Sequence, residues 1–170
     1  MSYYNSNGGY GNRQYQGGRS NYGGSSHNIQ ETIKPLVGSK LNPDTYVDDA
    51  EKVIKGLVTD KNGKPALTTS KIRKILTMTA DIYNSVMSST DEDLSSELKL
   101  RIDYLRVQLV YECGRDDDKR NQYPVKDFIE KANLIGILKA QSGKKDEIVL
   151  FNRYMEALVA YHKFYGGKDN

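Results

Sequence analysis

Between Leu98 and Arg115 the chain carries two apolar rows on one predicted helix. Leu98, Ile102, Leu105, Leu109 and Cys113 recur at spacings of four, three, four and four, which traces one helical face. Leu100, Tyr104, Val107 and Tyr111 form a second row beside it. A helix apolar around most of its circumference is normally surrounded by other helices, so this stretch is expected to be the central post of a bundle.

Four further stretches supply its neighbours. A first helix is expected over 43–58: Asn42 is placed as N-cap, Pro43 suits the first position, and Tyr46, Ala50, Val53, Ile54 and Leu57 line one side. The turn Asp60–Pro65 ends it. The hydroxyls of Thr68, Thr69 and Ser70 offer caps for a second helix over 69–88, with Ile72, Ile75, Thr79, Ile82 and Val86 inward. The central helix is expected over 91–114, opening on Thr90 with Asp93 at capping-box spacing. A polar loop over 116–123 reads as a solvated connection, and Pro124 then opens a fourth helix running to 141. Within it Gly136 permits a close approach or is merely tolerated. A fifth, over 146–165, is apolar on most sides and stops at Gly166-Gly167. The expected fold is all-α, a compact bundle of about five helices over 41–170 that follows a disordered tail over 1–40.

Composition changes the picture chiefly at that tail. Residues 1–30 hold seven Gly and five Tyr but no Val or Leu, too little apolar surface to offset ordering entropy. Ile33, Pro35, Leu36 and Val37, beyond the Gly-rich part, are placed to dock on the bundle. Arg13 and Arg19 with the tyrosines would let the tail stack on unpaired bases, but two charges make a weak arm, and a flexible solubilising tail is the plainer reading. Net charge is +3, of which the tail supplies +2, so the body neither demands nor excludes a nucleic-acid partner. The single cysteine rules out an internal disulfide and fits a reducing compartment. With no signal-like segment and no apolar run near 18 residues, a cytoplasmic protein without membrane contact is expected.

Charge distribution is more informative than its sum. Lys61, Lys64, Lys71, Arg73 and Lys74 fall in a stretch from Lys61 to Ala80 that contains no acid. Lys71, Arg73 and Lys74 have no acidic neighbour at i±3 or i±4 and sit at a helix N-terminus, where cations are locally unfavourable. A phosphate partner would explain them; so would acids on another helix, such as Asp44 or Glu51. Elsewhere the bland readings dominate. Lys126 can pair with Glu130, Arg106 with Asp103, and Arg115 can answer a helix C-terminus. Cys113 and His162 lie on core rows, which favours packing over catalysis. No phosphate-binding glycine loop or metal-ligand set is evident, so neither an enzyme nor a cofactor is expected.

The segments LTTSKIRKIL (67–76), YLRVQLVYECGR (104–115), VKDFIEKANLI (125–135) and RYMEALVAYHKFYGGKD (153–169) resemble the small helical subunit of type III-A CRISPR effector (Csm) complexes. The resemblance spans about 42–169; the tail lies outside it, and the acidic loop is longer than the family pattern. It implies a helical protein without catalytic activity, several copies of which stack opposite the guide-holding backbone subunits, alongside a large subunit. Together they line a groove where target RNA pairs with guide RNA. Arg73, Lys74, Arg106, Arg115 and Lys126 match family bases, and Lys71 stands where the family is polar; these six are the expected RNA contacts. Such a subunit needs shape and phosphate contacts, because base pairing supplies specificity. The competing expectation is a helical assembly subunit with purely protein–protein contacts, which weak salt dependence would distinguish.

Overall fold

A computed structural model describes Met1 and residues 33–116 and 122–168. The tail expected to be disordered therefore lies outside the described residues up to position 32, as does most of the acidic loop (117–121). Six helices follow in order: α1 (Tyr46–Lys55), α2 (Thr69–Ser88), α3 (Ser96–Gly114), α4 (Pro124–Lys131), α5 (Leu134–Lys139) and α6 (Lys145–Phe164). Among the described residues there is no strand beyond isolated bridges at Thr59–Pro65 and Asp93–Lys144.

The post of the bundle is α6, not α3. Its most extensive packing is against α1 and α2, and Ile148, Phe151, Tyr154, Met155, Leu158 and His162 are all buried. By contrast α3 meets α2, α4 and α5 on one side only. Leu98, Ile102, Leu105 and Leu109 are buried there, while Leu100, Tyr104, Val107 and Tyr111 remain 61–69% exposed. The two rows of α3 face opposite ways, and among the described residues no helix covers the second.

Three expected boundaries move, each for a local reason. Asn42 accepts the Asp44 N–H through Oδ1 at 3.0 Å, making a turn before α1 that holds Pro43 outside the helix. α3 starts late because Ser95, not Thr90, caps it, accepting the Leu98 N–H at 3.2 Å; residues 92–94 instead pair with 143–145. The expected fourth helix breaks into α4 and α5 at Asn133, whose φ of 51° is left-handed. Its Nδ2 donates to the Val37 carbonyl at 3.1 Å, and a Cβ on Gly136 would lie 2.1 Å from its Oδ1. Gly136 is thus required by the Asn133 amide.

Both flanks of the bundle are strapped down. Leu36 donates to the Lys131 carbonyl at 2.9 Å and packs so close to Gly56 that a Cβ there would meet it at 2.5 Å. After α6 the chain turns so that Gly167 donates to His162 O and Lys168 O accepts from Thr69 N, both at 2.8 Å. The His162 ring is buried under this strap, its Nε2 2.8 Å from Leu67 O, as a packing residue rather than an exposed acid or base.

Candidate nucleic-acid interface

The N-terminus of α2 and the C-terminus of α3 meet at one corner of the bundle. Thr68 caps α2 by accepting the Lys71 N–H at 3.4 Å, and no acid occupies the first turn. Inward residues Ile72 and Ile75 fix the rotation of the helix, so Lys71, Arg73 and Lys74 are exposed. Lys71 reaches Asp116 at 3.1 Å, and Lys74 reaches Glu112 at 2.8 Å. Arg115 stands 3.6 Å from that same Glu112 oxygen and 5.4 Å above the Tyr111 ring. Three cations therefore share two carboxylates, and Arg73 beside them has no ion-pair partner among the described residues.

The two carboxylates are unequal. Glu112 is partly open, whereas Asp116 is buried and carries structural bonds. Its Oδ2 accepts the N–H groups of Val125 at 2.6 Å and Lys126 at 3.0 Å. Since Tyr123 at the N-cap of α4 offers no side-chain bond, Asp116 caps α4 from a distance in sequence. The first acid of the loop is thus not a solvated connection as expected; burial with three donors makes it a fold element.

The remaining expected contacts lie apart from this corner or beside it. Arg106 pairs with Asp103 at 2.7 Å, more than two turns back along α3 from Arg115. Lys126 lies 3.8 Å from Glu130, the partner its spacing suggested. Hence five of the six cations have an acid partner in the fold. The acids holding Lys71 and Lys74 are Asp116 and Glu112 rather than Asp44 or Glu51. Glu112 is a local partner of Arg115 at i+3 spacing; nothing local marks Asp116. Cys113 beside this corner is half-buried, and burial, then Glu130 and Asp116, pushes its thiol up to about 11, which suits packing. Among the described residues no group of three His, Cys, Asp or Glu is placed to hold a metal ion, and no helix is long and apolar enough to cross a membrane.

Residues 40–168 match the family model described as Csm2 Type III-A. The chain is 43% identical over 129 residues to "CRISPR system Cms protein Csm2" of Streptococcus thermophilus, covering 76% of this chain and 98% of that protein. It is 40% identical over 126 residues to the protein of the same name from Mycobacterium tuberculosis (strain CDC 1551 / Oshkosh), covering 74% and 95%. That from Enterococcus italicus is 39% identical over 103 residues, covering 58% and 68%. With the helical bundle and a match over three quarters of its length, the chain belongs to the type III-A Csm2 family.

Proposed function

We propose that this protein is a non-catalytic small subunit of a cytoplasmic type III-A CRISPR ribonucleoprotein. In this reading several copies stack against the backbone and large subunits and line the groove that holds guide-paired target RNA. The observation that carries it is the corner where, among the described residues, Lys71, Arg73, Lys74 and Arg115 outnumber Glu112 and Asp116 and Arg73 has no ion-pair partner. Surface ion pairs are worth about 0–1 kcal/mol, so Lys74 and Arg115 can exchange Glu112 for a phosphate at little cost. Repeated along a stack, one or two such contacts per copy would sum to a firm hold on the RNA backbone without reading its sequence.

The test uses the assembled complex carrying wild-type subunit, Arg73→Ala, or the triple change of Lys71, Arg73 and Lys74 to Ala. Target-RNA affinity is followed against salt, and assembly by mass. Arg73→Ala is the clean probe, because Lys71 also steadies the Asp116 cap. The expected result is intact assembly with weaker capture and a log–log salt slope reduced by roughly 0.7 for each phosphate no longer neutralised. Unchanged capture and slope in both variants would refute the assignment.

A purely protein–protein role is the second reading. It is favoured by the carboxylate partners of five of the six cations and by the exposed apolar row of α3. It predicts that the triple variant loses assembly itself, while RNA capture by any complex that does form keeps its salt slope.

A further inference from the structure

The charges at the corner of α2 and α3 run against the dipoles of both helices. α2 opens on Lys71, Arg73 and Lys74 with no acid in its first turn, at the positive end of its dipole. α3 closes on Glu112 with no base in its last turn, at the negative end of its own. Neither placement is what its own helix favours. Docking of α2 on α3 does not call for them either. Ile72 and Ile75 on one helix and Leu105 and Leu109 on the other are buried in the common core, beside which an exposed ion pair adds little.

Glu112 is also a poor match for the two cations it meets. One oxygen, Oε1, serves both Lys74 at 2.8 Å and Arg115 at 3.6 Å. The second distance is too long for a hydrogen bond, and Arg115 lies instead 5.4 Å over the Tyr111 ring. A phosphodiester presents two charged oxygens, so it can take each cation on an oxygen of its own and bond Arg115 directly. Both cationic side chains are more than half exposed and free to turn to it. Asp116 cannot be exchanged in this way, because it is buried and committed to the cap of α4.

We propose that Glu112 is a built-in stand-in for phosphate that sets the affinity of this corner for RNA. Its carboxylate must give up Lys74 and Arg115 before the RNA backbone engages them, and it then remains beside the phosphate as a like charge. The inference rests on the RNA reading of this corner and adds its regulation. Each contact is weakened by the ion pair it breaks and by the repulsion that follows. RNA that reaches one copy alone is therefore released, and retention requires several copies engaged on the same strand.

The test titrates target RNA, against salt, into the assembled complex carrying wild-type subunit, Glu112→Gln, Asp48→Asn or Arg73→Ala, with assembly followed by mass. Asp48→Asn removes the same charge from the exposed face of α1, which packs on α6 and α4 away from the corner. Glu112→Gln should tighten capture by about threefold or more and steepen the log–log salt slope by up to about 0.7 for each engaged copy. Asp48→Asn should change capture by less than about twofold. With Lys74 and Arg115 both changed to Ala, Glu112→Gln should gain no more than that control, because the cations it would release are gone. Glu112→Gln no tighter than Asp48→Asn would overturn the proposal. Weaker capture, or loss of assembly, would overturn it too, since Glu112 would then position the cations or hold the fold. Arg73→Ala separates the two readings. If Arg73→Ala weakens capture while Glu112→Gln leaves it unchanged, the role of Glu112 alone falls; if both leave capture and slope unchanged, the RNA reading falls with it.

Discussion

Replacing Asp116 by Ala should destabilise the bundle more than any substitution among the cations around it. The carboxylate accepts three donors: Lys71 Nζ at 3.1 Å and the backbone N–H groups of Val125 and Lys126 at 2.6 and 3.0 Å. Val125 is buried, and leaving a buried donor unpaired costs about 1–3 kcal/mol. Loss of this side-chain cap of α4 overlaps with that figure and on its own costs about 0.5–2 kcal/mol. The half-exposed Lys71 adds at most about 1 kcal/mol. The expected loss is therefore about 1–4 kcal/mol, a drop in melting temperature of roughly 4–15 °C for a domain of this size. Urea unfolding followed by far-UV circular dichroism on the full chain measures it. Lys71→Ala serves as the control and should cost less than about 1 kcal/mol. An Asp116→Ala variant within about 1 kcal/mol of wild type, or a Lys71→Ala variant equally damaged, would refute the capping argument.

Three further outcomes follow from the same geometry. Lys168, then the Asn62 and Lys64 N–H groups, hold the Asp60 carboxyl down to about 2, so its contribution to stability is complete above the unfolded value and lost as pH falls from about 4 towards 2. Wild type should thus be more stable than Asp60→Asn at pH 6, and the two should converge over that window in thermal melts; a gap independent of pH would contradict this. Gly167→Ala should cost about 1–3 kcal/mol, because its Cβ would sit 2.1 Å from the buried His162 ring, and urea unfolding measures the loss. The Cys113 thiol, raised to about 11, should react with a disulfide reagent at pH 8 more than about a hundredfold slower than a free thiol, the rate recovering when the protein is unfolded.

Secondary structure was legible where periodicity and caps agree. Thr68 beside an unbroken 3,4 rhythm marks the start of α2, and its limits fall where the pattern sets them. The rhythm alone says nothing about a break carried by one backbone angle, so Asn133, inside a continuous apolar pattern, interrupts the expected fourth helix unseen. The same blindness explains α3. Two apolar rows suggest two covered surfaces, but periodicity cannot say whether the chain itself covers the second, and here that row is exposed. At the candidate interface Lys71, Arg73 and Lys74 were legible as unpaired within their own helix, and they are. Their partners, Glu112 and Asp116, lie 38 and 45 residues away in sequence, beyond any local rule. Such distant pairs are set by how α2 docks against α3, which depends on packing rather than on spacing.

The position of α6 bears on how the chain is made. α1 and α2 find their main partner in the last of the described helices, and the strap from Thr69 to Lys168 spans nearly the whole bundle. At about 5–20 residues per second, α1 waits roughly 5–20 s after leaving the ribosome before α6 exists. Through that interval its apolar side and that of α2 are open to other nascent chains. Folding of this bundle is therefore governed by non-local contacts that wait for α6, and slowing translation would lengthen the vulnerable interval instead of helping the early helices to settle.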